Sequence, residues 1–222
     1  MRYQVAALVV LAAALAGTAL GAATPVSPTP GARVSTSRPQ FTWTLPSNEE
    51  SKGVFISTSP DVAPTGGFFD DEVLAGASFA NDEHQWSPSS PLYAGHYWWL
   101  VQSSDRMSSQ IRYSAPTDFT IPVSLSVLPV STVRSTYLRL LAIKVRWKAN
   151  VHSLRVRLRV LRKRKVVWQR TESEPNVLGQ TGSRTVSCYL PHTLKRGTRL
   201  TLQVVLRAGG VKKIRSLLVR AP

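Results

Sequence analysis

The chain is short of cysteine, of any helical period, and of acidic residues over its second half. Each shortage excludes something. A single cysteine, Cys188, leaves no intrachain disulfide framework and no all-cysteine metal site. The four histidines, His84, His96, His152 and His192, are never spaced as a helical metal pair. There is no Gly-x-Ser-x-Gly elbow, and Gly179-Gln180-Thr181-Gly182 lacks the lysine and following helix of a phosphate loop. Asp70-Asp71-Glu72 and Asp82-Glu83 offer oxygen ligands without calcium-loop spacing. No nucleophile, base or metal set can be assembled. The sequence therefore predicts a non-enzymatic protein with no catalytic residues, no cofactor and no metal.

Only one apolar run approaches spanning length, at residues 5–20. Arg2 precedes it, and the small residues Gly21-Ala22-Ala23 follow. A charged end, an apolar run and a small-residue exit make a secretory signal peptide. Residues 1–23 are expected to be that signal, cut after Gly21 or after Ala23. An uncleaved membrane anchor is the alternative. The protein is thus expected to be extracellular or associated with the cell envelope. Residues 24–30 read TPVSPTP, so residues 24–37 are expected to be a proline-rich spacer.

What is abundant is positive charge, and it is unevenly placed. The chain has 28 Lys and Arg against 12 Asp and Glu, a net charge of +16. Residues 24–123 hold 5 basic and 10 acidic residues, whereas residues 124–222 hold 22 basic and 2 acidic, Glu172 and Glu174. A break in charge of this size predicts a domain boundary near residue 123 and an anionic partner for the second half.

Residues 38–123 alternate short strand-like runs with Pro, Gly, Ser and Asp clusters, the pattern of an antiparallel sandwich. Phe41-Thr42-Trp43-Thr44, residues 53–57, residues 97–101 and residues 118–121 are the expected strands. Trp86, Trp98 and Trp99 are expected to pack between domains, with an aromatic sugar platform as the alternative. Pro39-Gln40-Phe41-Thr42-Trp43 resembles the early Trp strand of a fibronectin type III domain. Pro91-Leu92-Tyr93-Ala94-Gly95-His96-Tyr97 followed by Trp98-Trp99-Leu100-Val101 resembles that family's corner and penultimate strand. Tyr113-Ser114-Ala115-Pro116 and Phe119-Thr120 resemble its last strand. Tyr97 follows Leu92 by five positions instead of six, and Ala94 replaces the usual Pro. The resemblance implies that Leu92, Gly95 and Tyr97 form a structural corner, with the Tyr97 hydroxyl bonded to backbone.

Residues 124–222 alternate more regularly. Leu141, Ile143, Val145 and Trp147 are expected to face inward, with Lys144, Arg146 and Lys148 outward. Leu154, Val156, Leu158 and Val160 alternate with Arg155, Arg157 and Arg159. Arg162-Lys163-Arg164-Lys165 reads as a basic hairpin turn, and residues 174–182 read as a loop. Cys188 falls among inward positions as a small hydrophobe. The expected fold class is all-β: two consecutive immunoglobulin-like, fibronectin type III-like β-sandwiches after the signal peptide.

In such a sandwich Arg155, Arg157 and Arg159 would share a face with Arg207 and Arg215, and Arg162, Lys163, Arg164 and Lys165 would sit at its end. With Lys144, Arg146 and Lys148 these are the candidate polyanion contacts, since guanidinium forks suit phosphate and sulfate. The expected partner is an anionic envelope polymer or membrane surface. A protein partner, with the basic face incidental, is the alternative. No zinc-finger spacing or RNA-binding strand signature is present, so nucleic acid is not the expected ligand.

Overall fold

The computed structural model describes residues 22–80, 82–135 and 139–222. Residues 1–21, and with them nearly all of the expected signal peptide, lie outside the described residues. Nine strands come from residues 24–121: β1 (Thr24–Ser27), β2 (Ala32–Arg33), β3 (Phe41–Thr44), β4 (Glu49–Ser57), β5 (Val73–Ser78), β6 (Gln85–Trp86), β7 (Gly95–Asp105), β8 (Ile111–Tyr113) and β9 (Thr117–Ile121). They form one sheet in the order β1-β3-β6 and another in the order β2-β9-β7-β4-β5, with β8 on β7. Residues 24–37 are therefore not a spacer. β1 pairs with β3, and β2 runs parallel to β9. β1 tolerates Pro25 because it is a sheet edge, where a missing N–H leaves no ladder bond broken.

The two sheets enclose Phe41, Trp43, Val54, Ile56, Trp99, Val101, Phe119 and Ile121. Phe41 meets Trp99 and Phe119 edge-on, with ring centroids 4.9 and 5.4 Å apart. Each such side chain contributes roughly 1.5–3 kcal/mol by leaving water. Trp99 belongs to this core and Trp86 packs against it, while Trp98 stacks on His96 at 4.3 Å. The three tryptophans are thus occupied within the first half and do not form the domain contact expected of them.

Residues 125–220 supply β10 (Leu125–Val127), β11 (Ser131–Ser135), β12 (Leu140–Arg162), β13 (Lys165–Tyr189), β14 (Arg199–Ala208) and β15 (Val211–Arg220). All six belong to one sheet. Its spine is the β12–β13 hairpin, paired from Leu140↔Tyr189 to Arg162↔Lys165. The first half of β12 also pairs with β10 and β11, and its second half with β14, which carries β15. The hairpin bends where the ladder slips between Lys148 and Asn150. Before the bend β12 buries odd positions, Leu141 to Trp147; beyond it β12 buries even ones, Leu154 to Val160. Both stripes enter one core with Leu200, Leu202, Val204 and Leu206. The sheet is folded over itself, and its two outer faces look away from each other.

Residues 174–182 are not a loop. They continue β13 as strand, opposite β12. β13 pairs only with β12 in the sheet, so Pro175 sits on an edge and interrupts nothing.

Asn150, at the bend, ties the two halves together. Its Oδ1 accepts from the Ser124 N–H at 2.7 Å and its Nδ2 donates to the Pro122 carbonyl at 3.1 Å. Its own carbonyl accepts from the Ala94 N–H at 2.7 Å. Beside it the rings of Tyr93 and His152 lie 3.7 Å apart.

Candidate functional site

The corner in the first half is structural. Tyr97 donates its hydroxyl proton to the Tyr93 carbonyl at 2.9 Å, and burial raises its pKa above the usual phenol value. Leu92 is buried beneath, and a side chain at Gly95 would press on the Tyr97 ring. His96 bonds Asp118 at 3.0 Å, which holds that carboxyl below its ordinary range. The acidic runs do not converge: Asp82 is engaged by Arg106, and among the described residues no three of His, Cys, Asp and Glu gather around one point. Cys188 is fully buried, and desolvation pushes its thiol up to about 12, so the reactive thiolate is suppressed at neutral pH.

In the second half the period-two pattern distributes the cations over two outward faces. Before the bend Lys144, Arg146 and Lys148 stand exposed along β12. Hydroxyl side chains flank them in register: Ser131 and Thr185 beside Lys144, Ser183 beside Arg146, Ser126 and Thr181 beside Lys148. Beyond the bend Arg155, Arg157 and Arg159 line the other face. Arg155 lies directly opposite Arg207 on β14, and Arg207 opposite Lys212 on β15. Arg159 donates from Nε to Gln169 at 2.9 Å.

Arg215 does not join this face. It pairs with Val204, whose side chain is in the core, so it has the inner parity. On the edge strand it stays exposed and donates from Nη1 to the Val127 carbonyl at 3.3 Å. The outward positions of β15 are Lys212, Ile214, Ser216, Leu218 and Arg220. Residue-by-residue alternation misses Lys212 and Arg220, because the register of an edge strand is set by its partner rather than by its own pattern.

The Arg162–Lys165 turn closes the hairpin with two residues. Lys163 and Arg164 have φ of +46° and +68°, the left-handed pair that a tight antiparallel hairpin needs. Asn-Gly or Gly-Gly relieves that conformation; here it carries two long cations.

Both acidic residues of this half are already committed. Glu172 pairs with Arg170 at 2.5 Å and Arg184 at 2.9 Å, and Glu174 pairs with Arg184 at 2.5 Å. Arg170 and Glu172 face Leu158 and Val156, and Arg184 faces Val145, so all three have inner parity at the open margin of the fold. The cluster joins the two arms of β13 across the bend and, among the described residues, leaves Lys144, Arg146, Lys148, Arg155, Arg157, Arg159, Arg207 and Lys212 without an internal carboxylate.

Two open grooves bring cations together, and a third holds one. One, of about 500 Å³, lies at the β14–β15 turn and is lined by Ser153, Arg155, Arg207 and Lys212 with residues 208–211. A second, of about 570 Å³, gathers Arg134, Arg199 and Arg220 beside Leu218. The third, of about 390 Å³, sets Lys148 and Asn150 against Ser35, Thr36 and Ser37 of the first half. Arg134 and Arg199 carry no sequence signal beyond their charge; the folded sheet alone brings them together. Among the described residues no helix is long and apolar enough to cross a membrane.

No family model and no curated protein matches the sequence. Solved structures are similar in shape over most of the chain. The chicken interferon gamma receptor alpha chain has a TM-score of 0.36 and 10% identity, covering 90% of this chain and 98% of that one. A DUF3823 family protein from Bacteroides ovatus has a TM-score of 0.32 and 14% identity, covering 90% and 98%. The α-L-rhamnosidase from Dictyoglumus thermophilum has a TM-score of 0.31 and 12% identity, covering 88% of this chain and 28% of that one. On its own strand order and packed sheets, the chain is an all-β protein of the immunoglobulin- and fibronectin-like sandwich class.

Proposed function

We propose that the chain is an exported, non-enzymatic binding protein whose basic half, residues 124–222, contacts an anionic component of the cell envelope. That component is an acidic polymer or a layer of lipid headgroups. One observation carries the reading: 22 cations share this half with two carboxylates, and both carboxylates are held by Arg170 and Arg184. A surface built only for solubility mixes both signs. The first half, a fibronectin type III-like domain in this reading, cannot neutralise +20 with its own −5.

The test uses the chain from residue 22 onward, with neutral vesicles, anionic vesicles and an acidic wall polymer, from low to high salt. Exposed charges are screened within about 8 Å at physiological ionic strength, so binding should fall steeply as salt rises. A variant with Arg155, Arg157, Arg159 and Arg164 replaced by Gln should bind far more weakly at low salt, with the gap closing as salt rises. Salt-insensitive binding, or equal binding by the variant, would sink the reading and point to a protein partner.

Export is part of the proposal. Ala23 is 4% exposed and packs in the first core, which favours a cut after Gly21 over one after Ala23. Sequencing the secreted protein should read Ala22-Ala23-Thr24 at its start. A start at Thr24 would overturn that choice of cut.

A further inference from the structure

We propose that the groove at the β14–β15 turn is a subsite for a phosphomonoester group, the end group of a polymer or the headgroup of a lipid. This rests on the polyanion reading above and names the chemistry of one part of it.

The argument starts from the register. Arg155, Arg207 and Lys212 are directly opposed on three neighbouring strands, on the same outer face. Adjacent strands lie about 5 Å apart, so three cationic heads reach one small volume. Like charges placed directly opposite destabilise a sheet. Among the described residues none of the three forms an ion pair or side-chain hydrogen bond, and the nearby carboxylates Glu172 and Glu174 have the opposite parity. The row lacks the counter-charge that its geometry calls for.

The shape adds a second, independent reason. Lys144 and Arg146 line none of the three grooves and Lys148 enters one alone, whereas Arg155, Arg207 and Lys212 together line a groove of about 500 Å³. Ser153 and residues 208–211 complete its walls. Gly209 and Gly210, with φ of +49° and +77°, turn the chain there, and nothing lies within 4 Å of where a Gly210 side chain would begin. Val123 packs against the turn at Gly209, so a compact anion can approach its backbone at Gly210. A phosphomonoester carries about −1.5 to −2 charge at neutral pH and three terminal oxygens. Two guanidinium forks, an ammonium and a hydroxyl complement that group better than a diester with one charge.

The experiment compares vesicles containing phosphatidic acid, a monoester, with vesicles containing phosphatidylglycerol, a diester, at matched surface charge. The chain from residue 22 onward is used. Wild type should favour phosphatidic acid by roughly tenfold, the scale of one or two added charge-assisted hydrogen bonds. R207Q/K212Q should abolish that preference, bringing the ratio of phosphatidic acid to phosphatidylglycerol binding to about one, while binding to both vesicles also weakens by roughly fivefold for each cation lost. K144Q/R146Q/K148Q should keep the preference. Soluble glycerol phosphate should compete if the end group alone suffices; displacement only by phosphatidic acid vesicles assigns the site to a membrane source. Wild type bound to both vesicles without preference, or a preference that survives R207Q/K212Q, overturns the subsite and leaves the polyanion reading standing. No binding of wild type at low salt to either vesicle or to the acidic wall polymer overturns both.

Discussion

Gly182 lies opposite Trp147 in the β12–β13 ladder, and a Cβ there would collide with the indole. The indole is 2% exposed and its Nε1–H has no hydrogen-bond partner, so the ring is held by packing alone. Gly182→Ala should therefore cost about 1–3 kcal/mol, the usual range for overpacking a filled core. Adding Trp147→Phe should recover part of that loss. Urea unfolding measures both; a neutral Gly182→Ala would show that the ring moves aside freely. Asp105 gives a residue-scale prediction in pH. One of its oxygens accepts from the Met107 and Ser108 N–H groups at 2.9 Å, and the other from Asn48 at 2.8 Å. These bonds lower its pKa to about 2. A carboxyl whose folded pKa lies below its unfolded value of about 3.9 stabilises fully above that value. The contribution is lost as pH falls through about 2. NMR titration should place Asp105 there, and Asp105→Asn should flatten the acid limb of stability between about pH 4 and 2. An ordinary titration near 3.9 would overturn the assignment.

At the scale of the element, the β12–β13 turn sets stability against binding. Lys163 and Arg164 both occupy the left-handed region, at roughly 1–2 kcal/mol each for a residue with a Cβ. K163N/R164G should raise stability by about 1–2 kcal/mol, since Asn and Gly adopt this turn readily. The same change should weaken binding to anionic vesicles. A more stable variant with unchanged binding would show that the turn lies outside the contact. Elements are also where sequence and structure part company. The stripes Leu141–Trp147 and Leu154–Val160 are legible because a half-buried strand alternates with period two. The two segments misread, residues 24–37 and 174–182, share a cause. Pro25 and Pro175 look like breakers, but β1 and β13 are edge strands on which a missing N–H costs little. The opposite error befell Arg215: alternation alone cannot say which parity of an edge strand faces in, and the Val204 pairing decides it. The bend at Asn150, which turns one sheet into two layers, left no mark in the pattern beyond the switch from odd to even.

At the scale of the whole molecule, charge and joint are linked. The halves have separate cores, and of opposite net charge they attract through space, yet the described contacts between them centre on a neutral amide. Asn150 is 6% exposed and satisfies both the Pro122 carbonyl and the Ser124 N–H, the two ends of the crossing segment. Its backbone bond to Ala94 fixes the same point to the tyrosine corner. Asn150→Ala would keep that backbone bond and strip the other two, at about 0.5–1.5 kcal/mol each, since Ser124 is exposed and Pro122 half-buried and water can take the lost partner's place. The loss falls on the joint and not on either core. Calorimetry should therefore show the two halves melting further apart in temperature than in the wild type, with the first core nearly unchanged. Because the joint is not among the outward cations, affinity for anionic vesicles should stay within about threefold, while the salt dependence keeps its slope. A variant that melts as the wild type does would mean that the Tyr93–His152 contact and the Ala94 backbone bond hold the halves without the amide. A variant that loses vesicle binding would mean that the contact surface spans both halves, with Lys148 and the serines of the first half taking part.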